Sequence, residues 1–585
     1  MSPHDIKPVP DFRLPLVVAV TGHRDLLESE LGPLTERVRW FLQDLIDKYP
    51  THRLTILSPL AEGADMLVAR EAIGLSLDLV VPLPKRQEDY LRDFQTDQGR
   101  REFSELLSKA SLVFELPQAI PPAPQGMDPD AWTMDYPYAQ LGTFLCAHCH
   151  ILLAIWDGKP SAGMGGTAQV VRFHHENYMP GITPPNLSTL KMLVDDESDL
   201  VFHIVCSHRK NGDGPHPDFE PLDWSWFTQD KDEPRTRELP DQHKLIFQRS
   251  AEFSEDALRF ADQIQAGAYS LQSGSKPEDL PEGIEMIDRL YSIADWLAIH
   301  YQRLTLRTLL VTHTLAFFMG LMFILYSDLE SWNAFLLAFL AFFLIAAGTQ
   351  FFAKRGAWQR KYQDYRTLAE GLRVQFYWAA AGIHSPDKWN FTHDAFLQSQ
   401  SPEFGWIRNV MRVAGLRCDA NAGAPAAGLE FVLREWVGDQ DRGQLGYFKR
   451  KARERIERHR LTERLGRISL ITSVCIVLLF VLSGSALPES LTAVLRIVMG
   501  GTLLLYAIRE GYAFATAVKE LIKQYEFMLR IYDNAYRRLS QTDQASEKRQ
   551  ILQALGQSAL DEHSDWLLMH RERSLDEGEI WRMGS

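Results

Sequence analysis

Four long apolar runs limit what this chain can fold into more than any other feature. They are Thr308–Tyr326 ("TLLVTHTLAFFMGLMFILY"), Trp332–Ala353, Ile468–Gly484 and Leu491–Ile508. A helix needs roughly 17–25 predominantly apolar residues to cross a bilayer, and these runs approach or reach that length. The second holds no charge between Asn333 and Ala353, the third is short, and the fourth carries Arg496. Buried core helices of a large soluble protein are the alternative, but the arrangement as two closely spaced pairs favours membrane hairpins. The loops inside the pairs, "SDLES" and "SGSALPES", contain neither Lys nor Arg. The outer flanks are basic: Arg303, Arg307, Lys354, Arg355, Arg360 and Lys361 around the first pair, and Arg464, Arg467, Arg509 and Lys519 around the second. The positive-inside rule then has both hairpins start and end in the cytoplasm, with the soluble parts on that side. His313 and Arg496 are the ionisable residues within the spans. Such residues usually face a bundle interior or a watery path, which makes the two gating candidates, although Arg496 near the outer end could also snorkel.

The membrane part reads as a duplication. A shift of 157 (460 − 303) sets "RLT" at Arg303–Thr305 on "RLT" at Arg460–Thr462, and Leu372 and Arg373 on Leu529 and Arg530. It also superposes the hydrophobic pairs, so each unit reads as helix, span, outer turn, span and long cytoplasmic helix.

Ahead of the spans, strand and helix patterns alternate. Buried-type strands are expected at Pro15–Val20, Leu54–Leu57, Leu77–Leu83, Ser111–Leu116, Ile151–Trp156 and Val201–Cys206. An amphipathic helix over about Leu34–Lys48 and a turn plus helix in "AEGADMLVAREAIGL" fall between them. Such alternation implies a Rossmann-like parallel sheet covered on both faces, with ligands beyond the carboxyl ends of the strands. The expected fold class is therefore an α/β Rossmann-like parallel-sheet domain followed by an all-α membrane domain with four transmembrane helices in two hairpins. The expected divisions are 1–212 for the nucleotide-binding domain and 213–281 for a linker and helical region. Residues 282–384 form the first two-span unit, 385–434 a cytoplasmic connector, 435–545 the second unit and 546–585 a cytoplasmic tail.

The polar clusters that matter all follow strands. Gly22, His23 and Arg24 in "TGHRD" offer close backbone approach and two groups suited to phosphate. Glu62 and Gly63 follow the second strand; Glu62 could accept from ribose hydroxyls, while Asp65 is expected to cap the helix beginning there. Lys85 and Arg86 suit a ligand with several phosphates. In "WDGKPSAGMGGT", Asp157 and Gly158 end the fifth strand and Gly165, Gly166 and Thr167 open the next helix, whose free N–H groups can hold an anion. "CAHCH" (Cys146–His150) invites a zinc reading. With the motif read as helical, Cys146 and His150 share a face, but no second ligand pair is evident, so packed core cysteines and no metal are expected.

Composition narrows the partners. With 585 residues, a net charge of −14 and no basic tail, the chain is not expected to coat nucleic acid. Five cysteines scattered among unrelated segments suit a reducing compartment, and "MSPHDIKPVPDF" does not read as a signal peptide.

Taken together, "TGHRD", "LAEGADMLVAREA", "DLVVPLP", and "AIWDG" with "GGT" resemble the SLOG superfamily over roughly 15–210. That resemblance implies a Rossmann-like domain for a nucleotide-derived ligand. Some SLOG enzymes, the cytokinin-activating LOG proteins, release the base from nucleoside monophosphates with a Pro-Gly-Gly-x-Gly-Thr-x-x-Glu loop. Here Met164 precedes the glycine pair and Ala168, Gln169 and Val170 follow Thr167, so the carboxylate is absent. This departure points away from hydrolysis and toward sensing. The two-span units are similar to SLATT domains, membrane effectors found beside SLOG sensors in bacterial defence. The matching stretches are "YRTLAEGLRVQFYW" (Tyr365–Trp378) and "EWVGDQDRGQLGYFKRKARERIERH" (Glu435–His459). The resemblance implies an oligomeric inner-membrane effector that senses a cyclic nucleotide or ADP-ribose derivative and opens a pore or disrupts the bilayer. A membrane-anchored nucleotide hydrolase of the LOG type is the alternative.

Overall fold

The computed structural model describes residues 12–160, 163–176, 178–183, 199–208, 214–229, 235–272, 280–281, 283–329, 333–383, 396–397, 402–420, 426–483 and 487–572. The chain forms two compact units, Met1–Ile293 with Gly371–Gly428, and Ala294–Glu370 with Leu429–Ser585. Residues 371–428, assigned from sequence to the first span unit and the connector, thus group with the sheet. Residues 384–395, 398–401 and 421–425 of that stretch lie outside the described residues.

The first unit is built on seven strands: β1 (Leu14–Gly22), β2 (His52–Leu57), β3 (Asp78–Leu83), β4 (Leu112–Glu115), β5 (Ile151–Trp156), β6 (Val201–Val205) and β7 (Trp224–Phe227). Their order is β4-β3-β2-β1-β5-β6-β7, parallel except for β7, which runs antiparallel to β6. The central strands are buried on both faces, and this explains their unbroken apolar runs. Val17, Ala19, Leu152 and Ala154 pack with Leu141, Phe144 and Leu145 of α5 (Pro129–Ala147) in the core. The β7 strand lies in the stretch expected to be linker and helix. Its four residues, "WSWF", directly follow the Pro/Gly-rich stretch "NGDGPHPDFEPLD", which reads as a linker.

Topology places the ligand crevice. The chain works outward from β1 to β4, then returns along α5 to lay β5 against the other side of β1. Between β1 and β5 the strand order reverses, and a crevice opens beyond the carboxyl ends at such a switch point.

The "CAHCH" motif is not one helical face, because α5 stops at Ala147. His150 instead follows the helix, where its Nδ1 accepts from the Val17 amide (2.8 Å), and the His148 ring bonds the Arg412 carbonyl (3.0 Å). Burial raises both thiols, Cys146 well above its ordinary value and Cys149 up to about 12.

The second unit holds the four helices long and apolar enough to cross a membrane: Ile284–Asp328, whose first ten residues belong to the first unit, Asn333–Arg355, Gly443–Ser483 and Glu489–Ala515. No residue of Asn333–Arg355 or Glu489–Ala515 is buried, so their apolar sides need a non-aqueous surrounding. The 45-residue helix is about 68 Å long, over twice the roughly 30 Å hydrocarbon thickness.

Two left-handed alanines mark the repeat. Ala357 and Ala517 both have φ of 48°, each breaking a span from the helix that follows. Their bonding is the same: Ala357 and Ala517 amides donate to Lys354 and Phe514 carbonyls, and Lys361 and Leu521 amides donate to the two alanine carbonyls. These positions are 160 apart (517 − 357), not 157. Three extra residues therefore enter the second copy before this point, and the ungapped match of Leu372 with Leu529 is not a structural equivalence.

Both ionisable outliers in the spans have partners. His313 Nδ1 donates to the Leu309 carbonyl (2.7 Å) and its ring meets Tyr512 edge-on at 5.4 Å. Arg496 Nε donates to Asp328 Oδ1 (2.7 Å). Between these contacts, Gly320 makes room for Leu504 and Gly500 for Ile324. The first helix of one repeat thus packs antiparallel on the second helix of the other.

Candidate functional site

A cavity of about 500 Å³ occupies the switch-point crevice. Of the residues singled out by sequence, Gly22, His23, Arg24, Asp157, Gly165, Gly166 and Thr167 line it. Three chain segments deliver them: the end of β1, the end of β5, and the start of α6 (Thr167–Glu176).

The β1 end is held by its neighbours. The His23 amide donates to the Ile155 carbonyl (3.0 Å), and a side chain on Gly22 would sit 2.4 Å from Ala64 Cβ. Gly22 therefore permits close packing of helix and strand as well as exposing backbone. His23 Nε2 lies 3.1 Å from Asp157 Oδ1 and its ring meets His208 edge-on at 4.8 Å. Burial lowers the His23 pKa, and the Asp157 carboxylate opposes that shift without reversing it. Asp157 Oδ1 also accepts from the Lys159 amide (3.0 Å), shaping the turn out of β5. Arg24 stands exposed over the Tyr138 ring at 5.2 Å, its charge directed to the cavity. Opposite it, Gly165 with φ of 81° packs so tightly on α5 that a Cβ would lie 2.7 Å from the Ala139 nitrogen. That close seating fixes the N-terminus of α6 at the cavity wall, where its partial positive charge favours an anion.

The remaining predicted residues are engaged elsewhere. Glu62 accepts from the Gln95 amide (3.1 Å) and from the Thr96 amide (3.4 Å) and hydroxyl (3.1 Å), tying down the start of α4 (Asp97–Ser108). Gly63, with φ of 86°, turns the chain into α2 (Ala64–Gly74). Lys85 pairs with Asp93 (2.8 Å), Arg86 is exposed at the start of the short helix α3 (Gln87–Tyr90), and Gly158 lines a neighbouring cavity of about 460 Å³ against Trp156, Met164 and Tyr178. Glu62→Gln is accordingly expected to lower thermal stability by about 1 kcal/mol and to leave ligand affinity unchanged. A calorimetric melt paired with a binding titration checks both halves.

Asp65, Tyr90, Tyr138 and Lys159 are among the cavity residues not anticipated as ligand groups. Asp65 does not cap α2; the capping position is Gly63 and no side chain caps it. Instead Asp65 lies one residue inside the helix, 5 % exposed. Burial pushes its carboxyl up to about 7, against the pull of Arg24 and the Ala61 amide. Tyr138 donates to Asp93 and receives both Arg24 and Lys85 over its ring. Neither tyrosine belongs to a motif with a phosphate or ribose signature, so only tertiary packing reveals them.

Among the described residues no group of His, Cys, Asp and Glu side chains is arranged to hold a metal ion. Compared with protein-family models, curated proteins and solved structures, the chain finds no match in any of the three.

Proposed function

We propose that this chain is a bacterial inner-membrane effector of anti-phage defence, in which the sheet unit senses a nucleotide-derived second messenger and the spans breach the membrane. One observation carries the reading. A chain with four outward-facing apolar helices also has a polar cavity at its sheet's switch point, edged by Arg24, Lys159 and the N-terminus of α6. A cavity of this size accommodates a nucleotide. The basic flanks of both hairpins support placing the soluble parts in the cytoplasm.

The mechanism follows from linkage. Ligand binding shifts the chain toward a membrane-active state only if that state binds the ligand better than the resting one. The helix Ile284–Asp328 begins in the first unit and runs without a break into the first span, which supports it as the element that couples the two. Four spans are too few to line a wide pore, so a symmetric homo-oligomer is part of the reading.

Liposome leakage by the purified chain, against cyclic nucleotides and ADP-ribose derivatives, tests this directly. Leakage is expected with one ligand class. Arg24→Ala should shift its half-maximal concentration upward by roughly 10- to 100-fold, the worth of one charge-assisted contact. Gly166→Glu, which puts a carboxylate beside the anion site, should abolish the response. Leakage with no ligand would sink the reading.

A second reading, hydrolysis of a nucleoside monophosphate, draws on Asp65. A buried carboxyl near neutrality in a cavity is suited to proton transfer. Release of free base from monophosphates, without leakage, would favour it.

A further inference from the structure

The floor of the cavity contains two buried polar atoms with no partner among the described residues, Asp65 Oδ1 and Tyr90 Oη. Asp65 is 5 % exposed and Tyr90 1 %. Folded proteins pair nearly all such atoms, and each orphan weakens the fold that carries it. The two arrive from different elements, Asp65 from the first turn of α2 and Tyr90 from the end of α3. The Tyr90 hydroxyl is not needed for packing. The Tyr90 ring is already held by Phe94 and Phe103, at 5.4 and 5.8 Å, and a phenylalanine would fill that place. Arg24 lines the same cavity as both.

Resting on the nucleotide reading above, we propose that Asp65 and Tyr90 bind the vicinal hydroxyls of a phosphorylated sugar, with its phosphate at Arg24 and the N-terminus of α6. A sugar diol supplies two O–H donors and two acceptors at adjacent carbons. One hydroxyl donates to Asp65 Oδ1, and the other exchanges a hydrogen bond with the Tyr90 hydroxyl. Binding then completes two hydrogen bonds that the unliganded fold leaves unmade. This role replaces the one the sequence suggested for Glu62, whose oxygens are occupied by the start of α4.

The test uses the full chain in detergent, titrated with inorganic phosphate, ribose 5-phosphate and 2-deoxyribose 5-phosphate. In the wild type, ribose 5-phosphate is expected to bind about 10-fold more tightly than its deoxy counterpart, the difference one hydroxyl makes at a site built to bond it. Asp65→Asn and Tyr90→Phe should each weaken ribose 5-phosphate, the one that bonds the 2-hydroxyl bringing the ratio toward one and the other weakening both sugar phosphates alike, and both should leave phosphate binding unchanged. Tyr90→Phe should also melt no lower than the wild type, because it removes an orphan and keeps the ring. This measurement keeps the proposal testable if Asp65→Asn folds poorly. A wild type that ignores the 2-hydroxyl, or a Tyr90→Phe variant that binds both sugar phosphates as tightly as the wild type, overturns the proposal. The nucleotide reading fails separately, if the sugar phosphates are discriminated and no nucleotide binds.

Discussion

Gly63→Ala is expected to destabilise the sheet unit by about 3 kcal/mol or more and to abolish ligand binding. Two independent penalties act on one methyl group. The φ of 86° at Gly63 is a conformation an L-residue occupies only at a cost of about 1–3 kcal/mol. The added Cβ would also lie 2.3 Å from the Arg24 carbonyl oxygen and 2.5 Å from that of His23. Those atoms are backbone and have no rotamer to escape into, so the β1 end and the start of α2 must separate. That motion breaks the bond from the Ala64 amide to the His23 carbonyl (3.1 Å) and moves Asp65 away from Arg24. Stability and site geometry therefore fail together. Thermal melts and a binding titration on the same sample check this, and a variant melting within about 1 kcal/mol of wild type would contradict it. Gly74, with no atom within 4 Å of a Cβ, is the control, and Gly74→Ala should melt no lower.

What was legible in the sequence was whatever repeats or runs long enough to have a period. The apolar runs appear as the four long apolar helices, and all six expected parallel strands fall within two residues of where they form. The fourth starts and ends one residue inside its expected bounds. β7 escaped because it directly follows the Pro/Gly-rich stretch "NGDGPHPDFEPLD", which reads as a linker. The site was legible in its backbone and less so in its side chains. Glycines announce themselves, since the chain uses them where Cβ atoms cannot fit, as at Gly63 and Gly165. A carboxylate does not announce whether it caps, bridges or waits. Glu62 and Asp65 are three residues apart, and the expected roles were a ribose ligand for the first and a cap for the second. The fold gives Glu62 three donors from the start of α4 and leaves Asp65 facing the cavity. Local sequence cannot make that distinction, because α4 and α3 reach this place from more than twenty residues away. The same limit explains the ungapped repeat: a three-residue offset is invisible until the left-handed alanines fix equivalent positions.

Acidification from pH 6.5 to 5 should destabilise the sheet unit by on the order of 4 kcal/mol per pH unit at the steepest part of the profile. Burial holds His52, His175 and His203 at about 4 and His150 at about 3, all below the unfolded value near 6.5. A depressed histidine is neutral in both states above pH 6.5, so its contribution is fully present there. Below 6.5 the unfolded chain binds a proton that the folded chain refuses, and stability falls until the pH reaches the folded values. His23, lowered by burial in the same direction, adds to the loss. Asp65 acts oppositely. Its folded value near 7 lies above the unfolded one, so between about pH 7 and 4 the folded state holds a proton the unfolded state lacks, and stability rises as pH falls. Four histidine protons against one from Asp65 leave a net uptake of about three on unfolding, each worth about 1.4 kcal/mol per pH unit. Hydrogen exchange of β1 and β5 amides across this window reports the sheet unit alone. Asp65→Asn removes the opposing proton and should steepen the slope by about 1.4 kcal/mol per pH unit, while His52→Gln should flatten it by the same amount. An exchange profile flat from pH 6.5 to 5 in all three proteins would mean that these imidazoles reach water in the folded state. The packing that sets the cavity floor would then be looser than the distances around His150 and Asp65 require.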